Sequence, residues 1–130
     1  MTRTVVDGMN VIGARADGWW RDRDGAARRL LGRLQRAVSR THDAVTLVLD
    51  GRPPPELAEG DHGGVDVRYA RRRGRNAADD RIVELVAADA DPAGLRVVTS
   101  DRELAARVVA LGATTEGAGT FLRRLDRLGA

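Results

Sequence analysis

Four aspartates carry the chemistry that this chain is equipped to do. Asp7 ends "TVV" and opens "DGMN". Asp50 ends "AVTLVL", Asp79 stands in "NAADDRIVEL", and Asp101 follows "VVTS". Aspartate makes up 14 of the 19 acidic residues, while the chain holds no cysteine and only two histidines, His42 and His62. Oxygen donors in number, with thiolate absent and imidazole scarce, suit a hard cation such as Mg²⁺ or Mn²⁺. Other chemistries lack parts. Without cysteine there is no disulfide, thiolate metal site or cysteine nucleophile. All 22 basic residues are arginine, which excludes a lysine Schiff base and a Walker P-loop. Neither Ser39 nor Ser100 lies in a G-x-S-x-G context.

Those acids act together only if the fold gathers them. Thr4–Val6, the near-continuous apolar run "AVTLVLD", "VDVRY" and "LRVVTS" read as strands, with "ATT" as a short fifth. Helical spacing marks "DGAARRLLGRLQRAVSR", where Ala27, Leu30, Leu31, Leu34 and Val38 recur on one face. It also marks "AADDRIVELVAADA", "DRELAARVVALG" and "GTFLRRLDRL". Alternation of this kind predicts one α/β domain over residues 1–130, a parallel sheet with helices on both faces. Sites in such sheets form beyond the carboxyl ends of the strands, where Asp7, Asp50 and Asp101 all fall. With Asn76 as helix cap, Asp79 lies above Ile82, Val83 and Val86 on the inward stripe, and Asp80 turns about 100° away toward Glu84. Asp101 is in line with Leu104, Ala105 and Val108. Four carboxylates on one edge repel one another unless a cation sits among them. Each also has a plainer role: Asp7-Gly8 and Asp50-Gly51 are turn pairs, Asp79 can join Asn76 in a cap, and Ser100–Glu103 reads as a capping box.

Around the acids the chain is basic, with net charge +3, which favours a polyanionic partner. Arg68, Arg71, Arg72, Arg73 and Arg75 lead directly to Asp79, a placement suited to phosphate contact. Trp19 and Trp20 offer either a base-stacking platform or a lid over the core. "GRPPPELAEGDHGG", residues 51–64, reads as a loop. No apolar run approaches membrane-spanning length and the first residues hold no apolar leader segment, so the cytoplasm is the expected compartment.

"VVDGMNVIG", "LVLDG", "AADDRI" and "VVTSDREL", in this order, resemble the NYN-domain nucleases of the PIN-like superfamily, and within them the YacP-like group. The resemblance spans nearly the whole chain. It implies a PIN-like three-layer fold with a five-stranded parallel sheet, a divalent-metal site and endoribonuclease activity on single-stranded or structured RNA. By position it makes Asp7, Asp50, Asp79 and Asp101 the metal carboxylates, with Asn10 orienting a ligand or a water. Met9 stands where many relatives carry an aromatic residue, and Ala77 where a threonine often precedes the Ala-Asp pair. A competing reading is a PIN-like module that binds RNA or the ribosome without cutting. Aspartyl phosphatases need D-x-D where this chain has Asp7-Gly8-Met9, and receiver domains need a lysine.

Overall fold

The computed structural model of the chain describes residues 2–71, 74 and 76–130, so that Arg72, Arg73 and Arg75 lie outside the described residues. Six strands form among the described residues: β1 (Arg3–Asp7), β2 (Ala44–Leu49), β3 (Gly60–His62), β4 (Val65–Tyr69), β5 (Leu95–Val98) and β6 (Thr114–Glu116). Five α-helices accompany them: α1 (Gly8–Gly13), α2 (Arg23–Thr41), α3 (Ala77–Ala88), α4 (Arg102–Ala110) and, after the last strand, α5 (Ala118–Arg127). The sheet order is β3-β4-β2-β1-β5-β6, and every pairing is parallel except β3 with β4. The chain runs outward from β1 through β2 to β4, then returns to β1's other side for β5 and β6. The order therefore reverses between β1 and β5, which is where an open α/β sheet leaves a crevice at its carboxyl edge.

The sheet divides the core in two. Val6, Leu47, Leu49, Val65, Val67 and Val98 pack on one face with α1, α2 and α5. Val5, Val48 and Val97 pack on the other with Ile82 and Val86 of α3 and Leu104 and Val108 of α4. Neighbouring residues of β1 thus serve opposite layers, as a pleated strand requires. Asp7 is two residues beyond Val5, and so leaves the strand on the side of α3 and α4. No helix among the described residues is long and apolar enough to cross a membrane.

The PIN-like three-layer expectation holds, with one strand more than expected. The additional strand comes from the end of the stretch that reads as a loop. Gly63 and Gly64 both have positive φ, 60° and 91°, and together close a two-residue hairpin that pairs His62 with Val65. Both central residues of such a primed turn need φ > 0, which glycine adopts freely. Asp61 accepts a hydrogen bond from the Gly64 amide at 3.1 Å and fixes the turn. His42, also with positive φ (59°), ends α2, and the His62 ring meets the Ala58 carbonyl at 2.6 Å. Both histidines are thereby engaged in local structure.

Candidate active site at the sheet switch point

Asp7 is the buried centre of the edge, at 4% exposure. There is no turn after it. The strand passes straight into α1, and Gly8 makes this possible. A Cβ at Gly8 would stand 2.7 Å from Leu49 Cδ2 and 2.8 Å from the Val48 carbonyl oxygen, so only glycine lets α1 begin against β2. The Asp7 carboxylate accepts from the Thr99 hydroxyl at 2.9 Å, and the backbone N–H of Asn10 adds its polar influence. Both favour its charged form. Burial outweighs them, and with the nearby charges of Asp79 and Asp101 it pushes the Asp7 carboxyl up to about 6.

Asp101 reaches the site from the β5–α4 junction. It, and not Ser100, is the N-cap of α4, and its Oδ1 accepts from the amides of Glu103 (2.9 Å) and Leu104 (3.1 Å). With Asp101 as N-cap the third helical position is Leu104, so the expected Ser100–Glu103 capping box does not form. Ser100 instead bridges two other segments. Its Oγ accepts from the Ala118 amide at 2.8 Å, while its own amide donates to the Asn10 side-chain oxygen at 2.8 Å. Thr99 Oγ1 also accepts from the Asp101 amide at 3.1 Å. Asn10 and Thr99 are therefore the two ties between the first motif and the "TSD" motif. Sequence reasoning does not single out Thr99, because a threonine at a strand end is ordinary until its partner is known.

Asp79 stands where the helical phase puts it, in the first turn of α3 and half-buried above the buried Ile82 and Val86. Its carboxyl is raised by burial and then by Asp101, with Arg107 opposing and Asp80 and Glu103 adding to the rise. Asp80 is exposed and bonded to Arg107 Nη1 at 3.0 Å, rather than directed only toward Glu84. Asn76 is the N-cap residue of α3 without a side-chain capping bond.

Asp50 is set apart from these three. Its strand, β2, lies on the side of β1 away from β5, and its carboxylate meets Arg23 Nη2 of α2 at 3.0 Å. Here Asp-Gly is a turn: Gly51 has φ +82°. Arg23, Asp50, Gly51, Arg52, Ala70, Arg71, Gly74 and Ala77 surround a hollow of about 510 Å³ between the end of β2 and the start of α3. Of the arginine run, Arg71 lines this hollow, and Arg68 turns back to Asp66 at 3.0 Å. The two tryptophans divide their roles. Trp19 packs partly buried against the core, and Trp20 stands edge-on to it, 54% exposed, with the Arg21 guanidinium 5.8 Å from its ring centroid.

Among the described residues no group of three or more Asp, Glu or His side chains is drawn together closely enough to hold a metal ion. The donor chemistry nevertheless fits a hard cation. The charges of Asp79 and Asp101 oppose ionisation of Asp7, and that of Asp101 opposes ionisation of Asp79; a divalent ion removes that repulsion.

The family model of the YacP-like NYN domain matches residues 4–130. Among solved structures, the chain is similar to Rae1 (YacP) from Bacillus subtilis in its W164L mutant form. That likeness has a TM-score of 0.80 at 25% identity, covering 99% of this chain and 77% of the other. A second Rae1 (YacP) structure matches with TM-score 0.73, 25% identity and coverage of 99% and 76%. No curated protein matches the chain.

Proposed function

The chain belongs to the YacP-like NYN domain family, a branch of the PIN-like nucleases, and on that premise we propose that it is a divalent-metal-dependent endoribonuclease. The observation that carries the reading is the placement of Asp7, Asp79 and Asp101 at the switch point, where the charges of Asp79 and Asp101 help raise the Asp7 carboxyl and that of Asp101 helps raise Asp79. Acids in a crevice whose charges oppose one another mark a functional site more often than a structural one. We assign Mg²⁺ or Mn²⁺ to these three carboxylates. When bound, the ion would supply a water of lowered pKa and charge neutralisation at the scissile phosphate.

The chain's own groups do the rest. The Thr99 hydroxyl holds the Asp7 carboxylate in one orientation. Capping of α4 fixes Asp101, and Asn10 ties the loop that carries it through the Ser100 amide. Arg23, Arg52 and Arg71 draw RNA phosphates toward the edge through the hollow beside Asp50. Asp50, one strand removed and paired with Arg23, acts at the margin of the site and modulates that attraction. Arg72, Arg73 and Arg75 extend the same basic stretch in sequence.

The open spacing of the carboxylates favours a second reading, a module that binds RNA or the ribosome without cleaving. One experiment separates them. Purified protein is incubated with end-labelled RNA in Mg²⁺, in Mn²⁺ and in chelator. Cleavage that needs metal and disappears in Asp79→Asn supports the nuclease. Metal-independent binding with no cleavage in any condition supports the module.

A further inference from the structure

A buried arginine on α3 has no part in the carboxylate site. Arg81 follows the Asp79-Asp80 pair, and its side chain is only 6% exposed. A buried guanidinium is normally paired, because taking its charge out of water without a partner is costly. Arg81 is not well paired. Its closest acid is Glu84, with Nη1 and Oε2 3.9 Å apart, beyond hydrogen-bond distance. Its Nε is enclosed and has no hydrogen-bond partner among the described residues.

The surroundings leave donors in excess. A hollow of about 320 Å³ opens beside α3, bordered by Arg71, Asp80, Arg81, Glu84 and Arg107 over Ala77 and Val83. Asp80 is committed to Arg107 at 3.0 Å. Glu84 alone remains for two guanidinium groups, at 3.9 Å from Arg81 and 3.7 Å from Arg71. Among the described residues three cations face two anions there, and the looser pairs fall short of hydrogen bonds. A cation entering here would be repelled by the net charge, and an apolar group would leave the donors unmet. A phosphate satisfies them, since the guanidinium fork matches its oxygens.

We propose that the hollow walled by Arg71, Arg81 and Arg107 seats a backbone phosphate of the RNA, one separate from the scissile phosphate. Two placements support RNA over a free anion. Asp80, which lines the hollow and pairs with Arg107, directly follows Asp79 in α3, so the hollow adjoins the carboxylate site. Arg71 lines both this hollow and the one beside Asp50, so a strand crossing the edge meets guanidinium groups on either side of Arg71. The inference rests on the nuclease reading for its ligand, and its test keeps the two apart.

The test uses Asp7→Asn protein in Mg²⁺, so that RNA stays uncut, and a set of single-stranded RNAs each with one methylphosphonate linkage in place of one phosphate. Anisotropy titrations give the loss caused by neutralising each position. One position near the scissile linkage should cost about tenfold in affinity. Adding Arg81→Met, which keeps most of the apolar stem and removes the charge, should cost about as much on unmodified RNA and cancel the penalty at that position alone. Arg107→Gln, on the exposed side of the same hollow, should reduce the same penalty, and it carries the test if Arg81→Met melts early. Penalties unchanged at every position in both variants would overturn the phosphate site. If the linkage penalty behaves as expected but wild-type protein never cuts RNA, the phosphate site stands and the nuclease reading fails. If the protein binds no RNA, both fall.

Discussion

Asp7 and Asp50 end neighbouring strands and each precedes a glycine, yet the two Asp-Gly pairs are different objects. Gly8 is there because α1 begins in contact with Leu49 and the Val48 carbonyl, leaving no space for a Cβ. Gly51 is there because the chain turns with φ +82° into open space. The first arrangement buries its aspartate beside Asp79 and Asp101 on the switch-point side of β1. The second leaves its aspartate exposed beside Arg23. Two identical dipeptides one strand apart thus yield one carboxylate whose charge is resisted and one whose charge is paired. Topology decides between them: β5 lies on one side of β1 and β2 on the other.

The largest expected consequence is in cleavage. Asp7→Asn and Asp79→Asn should lower single-turnover RNA cleavage by orders of magnitude, whereas Asp50→Asn should cost about tenfold, the scale of an outlying partner. Asp80→Asn should change it least of the acids near α3. Equal losses in Asp50→Asn and Asp79→Asn would erase the distinction.

Stability of the metal-free protein should show the next effect. The folded Asp7 carboxyl titrates near 6, above its ordinary value of 3.8. The folded state therefore holds more protons than the unfolded chain between about pH 4 and pH 6, and stability falls as pH rises through that window. Above it, the ionised carboxylate carries a cost of about 3 kcal/mol as an upper bound. Asp79, also raised, contributes with the same sign. In chelator, Asp7→Asn should stabilise the protein at pH 7.5 by about 1–3 kcal/mol and by little at pH 4, read from urea melts. Asp50→Asn loses one exposed ion pair and should stay within about 0.5 kcal/mol of wild type. A gain in Asp50→Asn equal to that in Asp7→Asn would contradict the comparison.

The glycines sharpen it further. Gly8→Ala should destabilise by about 1–3 kcal/mol, as overpacking does, and should depress cleavage because α1 and Asp7 move together. Gly51→Ala meets no atom within 4 Å and bears only its positive φ, so about 1 kcal/mol is expected. A larger loss at Gly51 than at Gly8 in the same melts would mean that the close approach of α1 to β2 is relaxed in solution.

Much of this is legible from the residues alone, and the exceptions have physical causes. The apolar phase of α3 puts Asp79 over Ile82 and Val86, and both are fully buried. Strand alternation announces the parallel sheet. Helix α1 escapes notice because six residues with a glycine at each end carry no helical signal of their own; contact with α2 and α5 holds it. Strand β3 escapes notice because three polar residues become a strand only through the Gly63-Gly64 turn and their partner β4. Ser100 and Asp101 are both good cap residues, and only the Asn10 and Ala118 contacts decide which one caps. Arg81 gives no warning at all, since an arginine within a helix is ordinarily exposed.

The most direct test of the central claim is metal-induced stabilisation across these acids. Thermal melts of wild type, Asp79→Asn and Asp50→Asn are compared with and without Mn²⁺ at pH 7.5, where a ligand that binds only the folded state raises the melting temperature. We expect Mn²⁺ to raise it in wild type and in Asp50→Asn, and to have almost no effect in Asp79→Asn. A full Mn²⁺ response in Asp79→Asn, or its loss in Asp50→Asn alone, would place the ion on the wrong side of β1 and contradict the account.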